Sequence, residues 1–326
     1  MLTNKELLQN SKNLLAFSAG VDSSALFFLL LENNIEFDIA IVDYGLRAQS
    51  KEEVAHAQAL AKTHHLNCHL FQAPLISKNF EATARDLRYD FFEKLITKHT
   101  YHNLLTAHHL GDRFEWMLMQ FCKGAGCVEM AGMQAVEERK NYTLVRPLLG
   151  VDKLELLEFL KKNKLKYFED ESNTDEKYKR NTFRKHHTTQ LLQEYRSGIK
   201  QSFMYIDEDV TQLITQVEVQ TLQEFTYFKS INQRSDIFAI DKYFKSLKKV
   251  LTAKEKELLK DNASVIIARK YVVTQECDLV MIAPYIKVTM SKEFKEKMRV
   301  LRVDPKLRGY ISQEKKVEEL LTSLLS

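Results

Sequence analysis

The run Ser18-Ala19-Gly20-Val21-Asp22-Ser23 joins small residues and hydroxyls to one carboxylate, between an apolar strand-like stretch ending at Phe17 and a helix-like stretch from Ala25 to Leu31. A tight turn of that kind lets backbone N–H groups and hydroxyls converge on an anion at the positive end of a helix, which is the physics of a phosphate cradle. Asp22 would repel a phosphate unless a cation lay between them, so it reads as a Mg²⁺ contact. A serine-rich helix cap with no ligand is the plainer alternative. Two further charged segments could do chemistry: Ala107-His108-His109-Leu110-Gly111-Asp112-Arg113-Phe114-Glu115, and Ala84-Arg85-Asp86-Leu87-Arg88-Tyr89 upstream of it. On helices, His108 and Asp112 would share a face, as would Arg85 and Arg88. An exposed ion-pair face explains either spacing equally well.

Positioning such residues calls for a sheet. Short apolar runs at 14–17, 39–42, 68–71, 104–107 and 144–145 alternate with longer amphipathic stretches, the βαβ rhythm of a parallel, doubly wound α/β sheet. Ligands of such sheets bind beyond the carboxyl ends of the strands, where this chain places its polar segments. Ser50 to Glu53 has a capping-box pattern, and Asp152 precedes another periodic run. From about 188 to 231 the pattern is helical and glycine-poor, with Ile206, Val210, Leu213, Ile214 and Val217 at helical spacing. Beyond it, 264–273 and 279–283 read as β segments among lysine-rich helices. The expected division is residues 1–187 as a nucleotide-binding catalytic domain, 188–235 as a helical connector, and 236–326 as a small basic α+β domain.

Composition narrows the class. The 326 residues exceed a usual single domain, and 44% hydrophobic content supports a sizeable core. The four cysteines, Cys68, Cys122, Cys127 and Cys277, form no Cys-x-x-Cys pair, which points to a reducing, cytoplasmic setting. No apolar run approaches the roughly 20 residues a membrane helix needs, and no membrane role is expected. The net charge of +4 is uneven: residues 242–308 hold 17 Lys/Arg against 8 Asp/Glu, a candidate surface for a polyanion. Lys177, Lys179, Arg180, Arg184 and Lys185 place five basic residues within nine positions, a density suited to nucleic-acid phosphates or to a solvated surface. The pair His186-His187 lacks the spacing of a zinc site.

Taken in order with Arg146-Pro147-Leu148-Leu149, Asp170-Glu171-Ser172-Asn173 and Arg180-Asn181-Thr182-Phe183-Arg184, these segments closely resemble the tRNA(Ile)-lysidine synthetases of the N-type PP-loop ATP pyrophosphatase superfamily, over more than half the chain. The resemblance implies ATP-dependent attachment of free L-lysine to the wobble cytidine of isoleucine tRNA through an adenylated cytidine. It implies ATP and Mg²⁺ as cofactors. Nucleotide contacts would fall on Ser18, Ala19, Gly20, Val21, Asp22, Ser23, Ser24 and Asp43, with the metal on Asp22. Catalytic roles would fall on Asp22, Arg88, His108, Asp112 and Arg184, and substrate contacts on Arg85, Arg88, His108, Asp112, Glu115, Lys177, Arg180 and Arg184. Lysine is neutral in only about one molecule in 10³ near pH 7, so His108 is expected to take or shuttle its proton, Asp112 to anchor the ammonium, and Arg88 to bind the lysine carboxylate or the adenylate. Three positions depart from the family pattern: Ala19 for a first glycine, Gly111 for a common aspartate, and Tyr44 for a histidine after the second strand. The rival readings are a PP-loop tRNA thiolase, against which the absence of a Cys-x-x-Cys pair speaks, and a nucleotide-sensing module without catalysis. Oligomeric state stays open, a homodimer included.

Overall fold

The computed structural model describes residues 1–45, 49–169, 179–276 and 278–325, which fall into two compact units, Met1–Asp207 and Glu208–Ser326. The first is built on a six-stranded sheet: β1 (Asn13–Ala16), β2 (Phe37–Asp43), β3 (Cys68–Gln72), β4 (Asn103–Leu105), β5 (Val136–Glu138) and β6 (Thr143–Val145). Their order is β3-β2-β1-β4-β6-β5, parallel except for β5, which pairs antiparallel with β6.

Side chains alternate along each strand, so one apolar run supplies two cores. Leu15, Ile39, Ile41, Leu105 and Val145 face the core that also takes Ala25, Leu26, Phe27, Leu29 and Leu30 of the helix Val21–Glu32, with Ala57 and Ala61 of Gln49–Thr63 and Leu156 and Leu160 of Lys153–Lys162. Leu14, Ala40, Leu104 and Leu144 face the opposite core, against Phe92, Leu95 and Ile96 of Phe80–His99. Both faces are covered, as a doubly wound sheet requires. The chain winds from β1 to β2 and β3 on one side and returns to β4 on the other, so the topological switch lies between β1 and β4, where such folds hold their ligands.

Of the two helix starts expected from the sequence, one differs and one holds. The helix Gln49–Thr63 already includes Ser50, which is buried at its second position rather than capping it. Asp152 does cap Lys153–Lys162, accepting from Leu154 N–H at 2.8 Å while Glu155 accepts from the Asp152 N–H at 3.2 Å.

The second unit holds an antiparallel sheet of β7 (Gln220–Leu222), β8 (Phe225–Lys229), β9 (Ser264–Ile267), β10 (Tyr271–Glu276) and β11 (Leu279–Pro284), ordered β7-β8-β11-β10-β9. Phe228, Val265, Val273, Val280 and Ile282 pack on one side with Ile237, Ile240 and Phe244 of the helix Gln233–Ser246. Phe225, Val272, Met281 and Ala283 pack on the other with Met298, Tyr310, Val317 and Leu321. The helical pattern expected through residue 231 ends earlier: Thr189–Leu213 is helical, but β7 and β8 follow, leaving Ile214 and Val217 outside any helix.

Candidate active site

After β1 the chain turns at Ala19, which is fully buried and holds φ at +58°, a left-handed conformation that favours glycine. Gly20, by contrast, lies at φ −73° and serves as the N-cap of Val21–Glu32. The special conformation therefore falls on the position where the resembling family carries its first glycine, and the alanine accepts a cost of about 1 kcal/mol there. Hydroxyls tie the loop to itself. Ser18 N–H donates to Ser23 Oγ at 3.2 Å, Ser23 Oγ donates to the Gly20 carbonyl at 3.2 Å, and the Ser18 and Ser23 hydroxyls meet at 3.1 Å. Phe168 N–H donates to the Ala19 carbonyl at 2.9 Å, pairing the loop with the segment that precedes residue 170. Two buried side-chain oxygens at this loop have no hydrogen-bond partner among the described residues: Asp22 Oδ1 and Ser24 Oγ.

After β4, Thr106 N–H continues the ladder to the Val145 carbonyl at 3.0 Å, and the helix Leu110–Phe121 begins with His109 as its cap. His108 thus precedes the helix, and the helical-face argument for His108 with Asp112 does not hold. His108 Nδ1 instead lies 2.9 Å from Thr106 Oγ1. Burial pushes the His108 imidazole down to about 4, Asp112 opposing and Arg146, Arg180 and Arg85 adding to the fall. A base that weak is further from a lysine ammonium, near 10.4, than an ordinary imidazole is.

His109, which sequence reasoning passed over, occupies the middle of the site. The Gly111 N–H donates to His109 Nδ1 at 3.0 Å, so the ring proton sits on Nε2. Nε2 faces two carboxylates, 3.6 Å from Asp112 Oδ2 and 3.8 Å from Asp22 Oδ2. Gly111 makes this possible: a Cβ there would come within 2.7 Å of His109 Cε1. The doubled histidine was visible in sequence, but its capping geometry was not.

Asp112 closes the cap, accepting the His109 N–H at 3.1 Å. Its Oδ1 takes Nη2 of both Arg180 (2.8 Å) and Arg184 (3.2 Å). Glu115, one turn on and only 1% exposed at its side chain, accepts Arg180 Nε at Oε1 and Arg184 Nε at Oε2, the latter at 2.9 Å. Two carboxylates and two guanidiniums, 65 to 72 residues apart in sequence, thus form one closed cluster. Burial works against charge on Asp112, yet His109, Arg180, His108 and Arg184 outweigh it and hold the carboxyl well below its usual range. Burial also opposes the Arg180 charge, and Asp112 and Glu115 overcome it, raising that group above its ordinary value. For Glu115 burial prevails over both arginines and lifts the carboxyl.

The remaining expected residues make their ring and hydrogen-bond contacts outside this cluster. Arg85 and Arg88 lie exposed in the first turns of Phe80–His99, the Arg85 guanidinium 4.9 Å over the Tyr89 ring. Tyr44 donates its hydroxyl to the Ala84 carbonyl at 3.1 Å and meets Phe80 edge-on at 5.7 Å. Asp43 accepts the Gly45 N–H at 2.8 Å. Arg146 is buried as an edge support, donating to the Gln134 carbonyl at 2.7 Å and to Glu137 at 3.1 Å. Lys177 and the run 170–175 lie outside the described residues. Among the described residues no group of three or more His, Cys, Asp or Glu is arranged to hold a metal ion.

The profile of the PP-loop domain matches residues 1–191. A tRNA(Ile)-lysidine synthase of Helicobacter pylori is 44% identical over 315 residues, 96% of this chain and 93% of that one. One of Campylobacter jejuni is 40% identical over 310 residues, 95% of each chain. The chain belongs to the tRNA(Ile)-lysidine synthase family. Among solved structures, the U34-tRNA thiolase NcsA from Methanococcus maripaludis, with its 4Fe-4S cluster, aligns at a TM-score of 0.54 over 67% of this chain and 78% of that one. At 15% identity it shares the fold alone. Membership in the lysidine synthase family gives the switch-point cluster its context: a phosphate loop on one side, a carboxylate pair held by arginines on the other, and His109 between them.

Proposed function

We propose that this chain joins free L-lysine to the wobble cytidine of an isoleucine tRNA at the expense of ATP, in two steps at the β1–β4 switch point. The cytidine O2 attacks the α-phosphate and pyrophosphate leaves; the lysine ε-amine then attacks C2 and AMP leaves. The observation that carries the reading is the convergence on one switch point of the Ser18–Ser24 loop with the Asp112/Glu115 pair, bridged by His109. The loop's N–H groups and hydroxyls, at the positive end of Val21–Glu32, suit the leaving pyrophosphate. Asp22 Oδ1, buried and without a partner among the described residues, suits a Mg²⁺ ion, which when bound would neutralise phosphate charge. Asp112 and Glu115 would hold the lysine ammonium. With its imidazole pushed to about 4, His108 is assigned to orienting the amine by accepting a hydrogen bond rather than to removing its proton. Arg85 and Arg88 would receive the lysine carboxylate or the adenylate, and Arg184 the activated intermediate.

The basic stretch 242–308 of the second unit, with 17 Lys/Arg against 8 Asp/Glu, is proposed as a tRNA-body contact through phosphate neutralisation; of the aromatic residues interleaved with it, Phe244 is fully buried in the core and takes no part. No described helix is long and apolar enough to cross a membrane, and the cysteine pattern favours a cytoplasmic setting. The thiolase reading gains nothing from the fold likeness, since sulfur delivery needs cysteines that no Cys-x-x-Cys here supplies. The deciding experiment incubates isoleucine tRNA with the protein, ATP, Mg²⁺ and lysine, then weighs the nucleosides. A gain of one lysine less water at the anticodon cytidine is expected; an unchanged cytidine overturns the reading.

A further inference from the structure

The Asp112/Glu115 cluster is already full of cations. All the guanidinium contacts are made from outside the helix Leu110–Phe121: Arg180 and Arg184 each reach both carboxylates, Asp112 through Nη2 and Glu115 through Nε. The second oxygen of Asp112 accepts the His109 N–H. Two negative and two positive charges balance, and every carboxylate oxygen has a donor. If the lysine ammonium binds here, it brings a third cation to a cluster that can hold two. A guanidinium does not vacate by losing its proton, so one of them must move.

The two arginines differ in how they are held. Arg184 opens a π-helical turn, Arg184–Thr188, fused to the long helix Thr189–Leu213, and its carbonyl accepts the hydroxyls of Thr188 and Thr189 at 3.3 and 2.8 Å. Arg180 stands on a five-residue helix, Lys179–Phe183, and its side chain is 46% exposed against 30% for Arg184. We propose that Arg180 is an internal occupant of the lysine ammonium site, displaced from Asp112 and Glu115 when lysine enters, so that it sets the enzyme's affinity for lysine by competition. The inference rests on the lysine site proposed above and adds to it a residue whose removal tightens binding.

That sign is the test. Calorimetric titration of L-lysine into the full-length protein, with a non-hydrolysable ATP analogue and Mg²⁺, should show Arg180→Gln binding lysine about three- to tenfold more tightly than wild type, the scale of losing one partly screened like charge. Arg180→Lys, which keeps the charge, should stay within about twofold of wild type. Unchanged or weaker binding in a folded Arg180→Gln protein overturns displacement. Should that variant fail to fold, arginine side-chain ¹⁵Nε NMR of the unaltered protein decides. Saturating lysine is expected to move one of the two Glu115-bound Nε–H signals to a rapidly exchanging position, and both remaining in place overturns the proposal. Asp112→Asn separates the two readings. If it leaves lysine affinity unchanged, the ammonium site itself is wrong; if it weakens lysine while Arg180→Gln does not tighten it, only the displacement is wrong.

Discussion

Arg113 lies between Asp112 and Glu115 in sequence but points to the other side of the helix, and its removal should disturb the site through the scaffold. Its guanidinium grips Asp207 through both terminal nitrogens, donates from Nε to the Ala131 carbonyl at 3.1 Å, and lies 4.3 Å over the Phe203 ring. Phe203 packs with Leu110, Phe114 and Leu192 in a small core that joins the helices Leu110–Phe121 and Thr189–Leu213. Arg113→Ala leaves the Ala131 carbonyl without its donor, at about 1 kcal/mol or more. It also removes a cation–π contact with a buried ring, about 1 kcal/mol, and an ion pair whose Asp207 side is 41% exposed and so counts for at most about 1 kcal/mol. The sum is about 3 kcal/mol, with Arg113→Lys, which keeps the charge and loses the fork, expected near half of that. Trp116, the only tryptophan of the chain, sits on the same helix. Urea unfolding followed by its fluorescence reports the first unit, and a loss under about 1 kcal/mol for Arg113→Ala would refute the accounting. Because the helix Thr189–Leu213, which Arg113 ties down through Phe203 and Asp207, continues back into the turn bearing Arg184, the variant should also raise the lysine KM.

Three further outcomes follow from individual residues. Asp22→Asn should cut pyrophosphate release by at least about a hundredfold, since charge neutralisation at a transferring phosphoryl group is worth several kcal/mol, while filter binding shows tRNA affinity largely intact; near-normal release would remove Asp22 from the metal side. Ala19→Gly should change stability by less than about 1 kcal/mol, because relief of the left-handed conformation is offset by the buried methyl and by the freer unfolded chain; a gain above about 2 kcal/mol on urea titration would show that the methyl contributes no packing. The His108 imidazole, pushed down to about 4 from an ordinary 6.5, stays neutral in the folded protein after its unfolded counterpart has taken a proton. Stability is therefore full above about pH 6.5 and declines as pH falls toward 4, with burial of His56 and His69 acting in the same direction. His108→Gln should flatten the melting temperature between pH 7 and 5, and an unchanged slope would mean that this histidine is not buried from its charge.

The inner parallel strands β1, β2, β4 and β6 were legible because they are largely buried and carry apolar runs that end where the polar segments begin, whereas the edge strand β3 was read from its composition although it is only half-buried. The strands that escaped notice lack that signature. Val136–Glu138 is a polar three-residue edge. β7 and β8 are joined through Gln223, which adopts φ +58° without the glycine or asparagine that would mark a tight hairpin. The site divides in the same way. The loop of residues 18–23 is local and announces itself, whereas no periodicity relates Asp112 and Glu115 to Arg180 and Arg184; only the order of motifs along the chain could bring them together. His108 was placed on a helix because the i, i+4 spacing allowed it, and the structure gives the first capping role to His109 instead.

What separates the two halves of the site is which carboxylates are satisfied. Asp112 and Glu115 have their charge met by guanidiniums within the fold, and the neighbouring cations outweigh the cost of burial on Asp112 but not on Glu115. Among the described residues Asp22, across the His109 ring, has no guanidinium partner and its inner oxygen has no partner at all. A buried carboxylate oxygen left bare is expensive, and beside a phosphate loop it would also repel the ligand. One cation would resolve both problems on the Asp22 side, while on the Asp112 side cations are already present and, on the proposed reading, one would yield. On that reading, binding of the nucleotide with a metal would be addition beside Asp22, and binding of the amine would be exchange. This asymmetry makes lysine affinity sensitive to Arg180 and nucleotide affinity indifferent to it, so that an Arg180→Gln protein with altered ATP affinity and unaltered lysine affinity would invert the assignment of the two halves.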